Sequence, residues 1–334
     1  MKAVQVKARG GNFHVVEIDK PSPGENEVLI EVEACGICHS DAFVKEGAFP
    51  GIDYPRVPGH EVVGVIREVG ARVNKWKEGQ RVGVGWHGGH CFECEPCRRG
   101  DFISCENAKI SGISYDGGYA EFMTAPQEAV ASIPEELSSA EAAPLLCAGI
   151  TVFNALRNSG ITAGDTVAVQ GIGGLGHLAI QYAAKMGMRT VAISTSDSKK
   201  ELAEELGAHH FINAKQHDAA EKLQDMGGAK LILATAPHSK AINSVIGGLG
   251  LDGKLLMVAA TGDPIEVSPM ELLMGRKSVA GWPSGTAMDS EDTLKFSAMT
   301  GTKPRIEEYP LDKVSEAYDK MINNKARFRV VLKP

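Results

Sequence analysis

From Met1 to about Cys147 the apolar residues come in short runs broken by Gly and Pro, among them "HVVEI", "EVLIEVEA", "EVVGVIREVG" and "RVGVGW". Alternation with a period of two between turn formers predicts strands, so this region reads as an all-β body. After Thr151 the rhythm changes. Apolar runs "TVAVQ", "TVAIS", "HHFIN", "AKLILATA", "GKLLMVA" and "KSVAG" are separated by amphipathic segments such as "GLGHLAIQYAAKMG", "DSKKELAEELG", "KAINSVIGGLG" and "SPMELLMG". Strand and helix in alternation predict βαβ units and a parallel, doubly wound sheet of six strands. The tail, "SEDTLKFSAMTG" and then "LDKVSEAYDKMINNKARFRVVLKP", adds helices and a last strand-like "FRVVL" that is expected to return to the first domain.

Composition narrows the function classes. At 334 residues with 43% hydrophobic content the chain is long enough for two cores. A formal net charge of −7 argues against a nucleic-acid partner, which would need an excess of Lys and Arg. No window of about 18 uncharged apolar residues occurs and the N-terminus has no apolar signal core, so the expectation is a cytoplasmic protein with no membrane partner. Seven cysteines are too few for a disulfide scaffold and too clustered to be incidental.

Four of them form "CFECEPCRRGDFISC", with Cys91, Cys94, Cys97 and Cys105 at spacings of two, two and seven intervening residues. Four thiolates can surround one zinc tetrahedrally and leave no place for substrate, which makes a structural site. An iron–sulfur cluster uses the same ligand number, but nothing else suggests electron carriage. A nucleic-acid-binding zinc ribbon conflicts with the acidic chain. The other cysteines are Cys35 and Cys38 in "CGICHSD" and Cys147 in "PLLCAGITVFNAL", with His39 and His60 as neighbouring imidazoles. Two Cys and one His suit a catalytic zinc with an open fourth position, although buried free cysteines are common.

The order "CGICHSD", "GHE", the four-cysteine run, "PLLCAGITVFNAL" and "GIGGLG" resembles that of zinc-dependent medium-chain alcohol dehydrogenases over essentially the whole chain. The resemblance implies a GroES-like β catalytic domain over residues 1–149 with a structural zinc lobe at about 88–108. It further implies a Rossmann domain over 150–287, a return to the catalytic domain over 288–334, and an active site in the cleft between the domains. The fold class is therefore α/β. Carried over by residue, Cys38, His60 and Cys147 would be the catalytic zinc ligands and Cys91, Cys94, Cys97 and Cys105 the structural ones, giving two zincs per chain. Cys35 is left as a small buried residue. Asp41 would orient His60, and Glu61 resembles the carboxylate behind the metal, with a plain structural acid as the alternative.

"TVAVQGIGGLGHLAIQ" puts Gly171, Gly173, Gly174, Leu175 and Gly176 in a G-x-G-x-x-G turn between a strand and a helix, the pattern that cradles a dinucleotide pyrophosphate. NAD-binding domains usually carry an acid about 20 residues on; here Ser194 stands 18 residues after Gly176, followed by Thr195, Ser196, Lys199 and Lys200. Hydroxyls and a cation suit a 2'-phosphate, and "STSxSKKE" resembles the NADP-dependent cinnamyl-alcohol branch of the family, so NADP(H) is expected over NAD(H). In the alternative, Asp197 caps the next helix and the lysines are surface residues.

The resemblance assigns Ser40 the alcohol proton, with a helix cap as the alternative, and gives His39 and Arg329 contacts to the cofactor pyrophosphate. Five residues after Cys38, where many relatives have a relay His, this chain has Phe43, which leaves Glu46, His39 or water for proton exit. Phe49 and Trp86 align with the aromatic walls beside the zinc, favouring primary alcohols and aldehydes. Ala287 replaces an Arg of many relatives. A homodimer or homotetramer joined at the edge strands "GKLLMVA" and "KSVAG" is a family expectation, and a non-catalytic zinc-binding regulator is the rival reading from another class.

Overall fold

The run "EVLIEVEACGI" forms one eleven-residue strand, Glu27–Ile37, in which only Glu33 is exposed. Near-complete burial follows from its central place in a seven-stranded sheet. Val62–Val69 pairs antiparallel along one edge, while Phe122–Pro126 covers the first part of the other edge and Arg329–Lys333 the last. Arg81–Val84 and Val130–Ser132 continue the sheet beyond Val62–Val69, and Ile306–Pro310 lies outside Arg329–Lys333. Branched residues of these strands pack with Trp76, Tyr119, Met123, Leu311 and Tyr318 in one core.

The computed structural model describes residues 1–334, and this sheet belongs to a unit made of Met1–Ile150 and Ser284–Pro334. The body is not purely β. Its helices include Asp41–Glu46, Ser139–Ala142, Ala287–Thr300 and Val314–Ile322. "FRVVL" pairs with Glu27–Ile37, as the tail's pattern suggests, but the strand Ile306–Pro310 has two acids and a terminal Pro and gives no clear strand signal. It sits at the sheet edge, where proline is tolerated.

Residues Thr151–Pro283 form the second unit. Its six strands run in the spatial order His210–Asn213, Arg189–Ser194, Thr166–Gln170, Ala229–Ala234, Leu249–Met257, Ser278–Gly281, and every pairing is parallel. Numbered along the chain this is 3-2-1-4-5-6, the doubly wound order whose ligand crevice lies beyond the C-terminal end of the first strand. "GKLLMVA" lies one strand in from the edge, which corrects its expected edge position; Ser278–Gly281 is the edge. One helix, Ala219–Asp225, has too short an apolar face to stand out in the sequence. Its start is fixed by the Asp218 carboxylate, which accepts from the N–H groups of Ala220 and Glu221. No single helix is long and apolar enough to cross a membrane.

Candidate metal centres and dinucleotide cradle

Strand register brings the first site together. The pair Cys35–Val62 sets the end of Glu27–Ile37 against the start of Val62–Val69, so Cys38 comes beside His60 and Glu61. The pair Val330–Ile37 places Arg329 one residue further on, at the same end. Cys147 stands at the break between the turn Ala143–Leu146 and the helix Ala148–Arg157. Ligand atoms of Cys38, His60, Glu61 and Cys147 all lie within 4.8 Å of one another, and the Cys38 and Cys147 sulfurs are 3.7 Å apart.

Asp41 organises this cluster from the first turn of Asp41–Glu46. Its Oδ2 accepts from the Cys38 N–H at 2.7 Å and from the Tyr119 hydroxyl at 2.8 Å, while Oδ1 faces His60 Nδ1 at 3.3 Å. A carboxylate at Nδ1 keeps the proton on that nitrogen and leaves Nε2 with its lone pair. His60 Nε2 is buried without a hydrogen-bond partner. Burial alone lowers the imidazole pKa, but the negative groups beside it, Asp41 and Cys38, outweigh burial and raise it well above the ordinary range. The Cys147 thiol, with His60 and Arg329, holds Cys38 well below the usual thiol range against the effect of burial. Two sulfurs, one of them readily ionised, and an unpartnered imidazole nitrogen fit a zinc ion.

Glu61, itself one of the clustered groups, forms a buried ion pair with Arg329, and its Oε2 has no hydrogen-bond partner. Burial pushes Glu61 up to about 7 in spite of Arg329. A Cβ at Gly36 would fall 1.9 Å from Glu61 Oε2, so this glycine makes room for the carboxylate. Ser40 holds the N-cap position of Asp41–Glu46 but makes no side-chain cap bond, which removes the capping alternative. His39 is exposed in the same turn. Cys35 is fully buried, remains a high-pKa thiol through burial, and stands outside the ligand group.

Three aromatic rings border the site. Phe43, Phe49 and Trp86 have centroids 6.2 to 6.5 Å apart, and Trp86 meets the His60 ring edge-on at 5.0 Å. Phe43 was marked in the sequence only as a missing histidine; here it completes an apolar wall.

In the lobe, the sulfurs of Cys91, Cys94, Cys97 and Cys105 also lie within 4.8 Å of one another. Cys91 Sγ accepts from Asn107 Nδ2 and from the Cys94 N–H, and Cys105 Sγ accepts from the N–H groups of Cys91 and Asn107. These donors, Asn107 first, bring the Cys91 thiol down to about 6. Four sulfurs with N–H donors aimed at them fit a closed zinc site.

The second unit carries the cradle. At Gly171, with φ +97°, a Cβ would come within 2.9 Å of Ala236 Cβ, and at Gly176 one would fall 1.9 Å from the Gly171 carbonyl oxygen. Around Gly173 nothing lies within 4 Å. The first and third glycines are thus required by the fold, and the second opens the turn of Gly171, Gly173, Gly174 and Leu175 to a ligand at the head of Gly176–Lys185, which fits a pyrophosphate. Ser194 ends the neighbouring strand, whose Ile193 carbonyl accepts the Gly171 N–H at 3.0 Å. Thr195 is exposed, and Lys199 Nζ donates to the Ile172 carbonyl at 2.7 Å. Ser196 caps the following turn, and Asp197 accepts from Gln216 Nε2 at 2.7 Å, so the alternative in which Asp197 is the cap is not what forms.

Sequence patterns described as "Alcohol dehydrogenase GroES-like domain" and "Zinc-binding dehydrogenase" match residues 24–135 and 174–299. The chain is 46% identical over 331 residues to alcohol dehydrogenase patD of Penicillium expansum, covering 99% of this chain and 97% of that protein. Among solved structures it is similar to CAD from Helicobacter pylori complexed with NADP(H), at TM-score 0.89 and 28% identity over 99% and 97% of the two chains. It is also similar to an NAD-dependent alcohol dehydrogenase, at TM-score 0.93 and 26% identity over the full length of both.

Proposed function

Because this chain belongs to the zinc-binding medium-chain alcohol dehydrogenase family, we propose that it interconverts primary aliphatic or aromatic alcohols and their aldehydes with NADP(H) as the hydride carrier. The observation that carries the reading is the convergence of Cys38, Cys147 and an unpartnered His60 Nε2 beside an apolar wall. When bound there, zinc would supply Lewis acidity toward the substrate oxygen and lower the alcohol's pKa.

The chain's own residues do the rest. Asp41 fixes the His60 tautomer and ties the Cys38 backbone to it. Ser40, its hydroxyl not spent on a cap, takes the alcohol proton and passes it toward the cofactor ribose. Phe43, Phe49 and Trp86, packed on one another beside His60, form an apolar wall that favours primary alcohols and aldehydes over bulkier secondary ones. Cys91, Cys94, Cys97 and Cys105 hold the second zinc as a staple.

For the cofactor, overall similarity extends almost equally to an NADP(H) complex and to an NAD-dependent enzyme, so local residues decide. Ser194 in place of an acid and Lys199 at the glycine turn support a 2'-phosphate, with Thr195 and Ser196 as further hydroxyls; His39 and Arg329 are assigned to the pyrophosphate. NAD(H) is the second reading, favoured by the exposed Asp197 carboxylate in the same turn.

A homo-oligomer is the third part of the proposal. Leu251, Met270, Leu273 and Met274 are 63%, 63%, 73% and 78% exposed, close in sequence to the edge strand Ser278–Gly281, whose outer side pairs with no other strand, as a surface met by a second copy would be.

The test is initial rates with NADPH and NADH on benzaldehyde and a short aliphatic aldehyde, alongside metal analysis. Two zincs per chain and faster turnover with NADPH are expected. A strong preference for NADH would defeat the Ser194 and Lys199 assignments, and a single tightly held zinc would defeat the catalytic site.

A further inference from the structure

Tyr119 is fully buried, and its hydroxyl has one acceptor, Asp41 Oδ2 at 2.8 Å. Its backbone is tied to the segment that carries His60: the Tyr119 N–H donates to Pro58 O at 3.0 Å and the Gly118 N–H to Gly59 O at 3.1 Å. The fit is close, since a Cβ at Gly59 would come 2.6 Å from the Tyr119 ring. One residue therefore grips the His60 segment by its main chain and the carboxylate facing the His60 ring by its phenol.

We propose that Tyr119 is a positioning residue for the metal-facing His60, acting through Asp41; the inference rests on the zinc site proposed above. Asp41 has two oxygens and three neighbours. The Tyr119 hydroxyl and the Cys38 N–H both occupy Oδ2, which turns the carboxylate so that Oδ1 meets His60 Nδ1. Without the phenol the carboxylate is held on that side by the Cys38 N–H alone and is less restrained against rotation about its Cβ–Cγ bond. His60 Nδ1 then loses the carboxylate oxygen that faces it at 3.3 Å, and Nε2 loses its fixed direction and part of its basicity. The core reading of the same residue, a tyrosine that merely satisfies its hydroxyl, predicts a loss of stability and nothing at the metal.

The experiment is Tyr119→Phe, which keeps the ring and removes only the hydroxyl, in the full-length zinc-loaded protein. Zinc release to a chromogenic chelator is followed, with the four-cysteine lobe as internal control. One zinc of the two should be held about threefold to tenfold less tightly, below the roughly 10- to 100-fold cost of losing a ligand's direct partner, and the lobe zinc should be unchanged. In an Asp41→Asn background the same substitution should add nothing, because the route through Asp41 is already broken. Wild-type release from both sites in Tyr119→Phe, with only a lowered melting temperature, overturns the inference and leaves the zinc site standing. A wild-type protein holding only the lobe zinc overturns the site and the inference together.

Discussion

Lys199 Nζ donates a 2.7 Å hydrogen bond to the carbonyl oxygen of Ile172, joining the turn after the second strand of the parallel sheet to the glycine turn after the first. The ammonium is thereby placed over the junction where Ser194 ends its strand beside Gly171. On the proposed NADP(H) reading, a cation there would pair with a phosphate on the adenosine ribose and would do little for a free 2'-hydroxyl.

Lys199→Ala is therefore expected to raise the KM for NADPH about 10- to 100-fold, the equivalent of a charge-assisted hydrogen bond of roughly 1.5–3 kcal/mol, and to leave the KM for NADH nearly unchanged. Ser194→Asp should move preference toward NADH by adding a carboxylate that binds ribose hydroxyls and repels a 2'-phosphate. Initial-rate kinetics with both cofactors check this. Equal losses for NADPH and NADH in Lys199→Ala would show a lysine that only braces the glycine turn.

Cys147→Ala should remove one zinc and abolish turnover while leaving the thermal transition within a few degrees of wild type. Cys147 lies at the junction between the turn Ala143–Leu146 and the helix Ala148–Arg157 and is only half-buried, so its loss removes little core packing. Cys97→Ala should act the other way. Cys97 is buried in a lobe held by four sulfurs and little apolar core, so its loss lowers the melting temperature and promotes aggregation. Metal analysis with thermal unfolding separates the two, and retained activity in Cys147→Ala would sink the three-ligand site.

The sequence carried the parallel unit almost strand for strand, because each apolar run and each glycine has a local signal. The site was legible only as separate parts. Cys38, His60 and Cys147 have no periodicity linking them; the Cys35–Val62 pairing is what unites the first two, and strand pairing is non-local. Arg329, a cofactor contact by the resemblance, also forms an ion pair with Glu61 that depends on a register set by the last strand, which no local pattern announces. Tyr119 left no trace, since "GGYAEF" reads as an ordinary turn into a strand. Phe43 could have been found: Phe43, Phe49 and Trp86 are large aromatics near the ligand motifs, and their count alone suggests a wall.

Trp86→Ala should widen that wall. Trp86 meets both Phe43 and Phe49 and lies against the His60 ring, so its loss removes packing from a flat substrate and opens space beside the reacting carbon. The kcat/KM for benzaldehyde is expected to fall about 10- to 100-fold, the scale of 1–3 kcal/mol for a pocket contact, while the relative rate with a secondary alcohol such as 1-phenylethanol rises. An unchanged ratio between the two substrates would mean that Trp86 belongs to the core and not to the pocket.

The last prediction concerns stability and pH. Glu291, in the helix Ala287–Thr300, is 8% exposed; its Oε1 accepts from the Ser132 N–H at 3.1 Å and from Lys75 Nζ at 3.3 Å, and Lys295 lies 3.6 Å from Oε2. Burial by itself would raise the carboxyl pKa, but the Ser132 N–H and Lys75 prevail and hold it below the ordinary value. A folded-state pKa below the unfolded one contributes stability that is fully present above the unfolded value, about 4.3, and is lost as pH falls through the folded one. Glu291→Gln keeps an acceptor for Ser132 and loses only the charge, and both lysine ends are exposed, so the cost near pH 7 is about 1 kcal/mol. As pH falls below the unfolded value the gap should narrow, and it should close only once pH has passed below the lowered folded-state value. Urea unfolding of both proteins at pH 7 and in steps below pH 4 checks the sign; a gap that stays constant or grows on acidification would mean that Glu291 stabilises this unit by packing and not by charge.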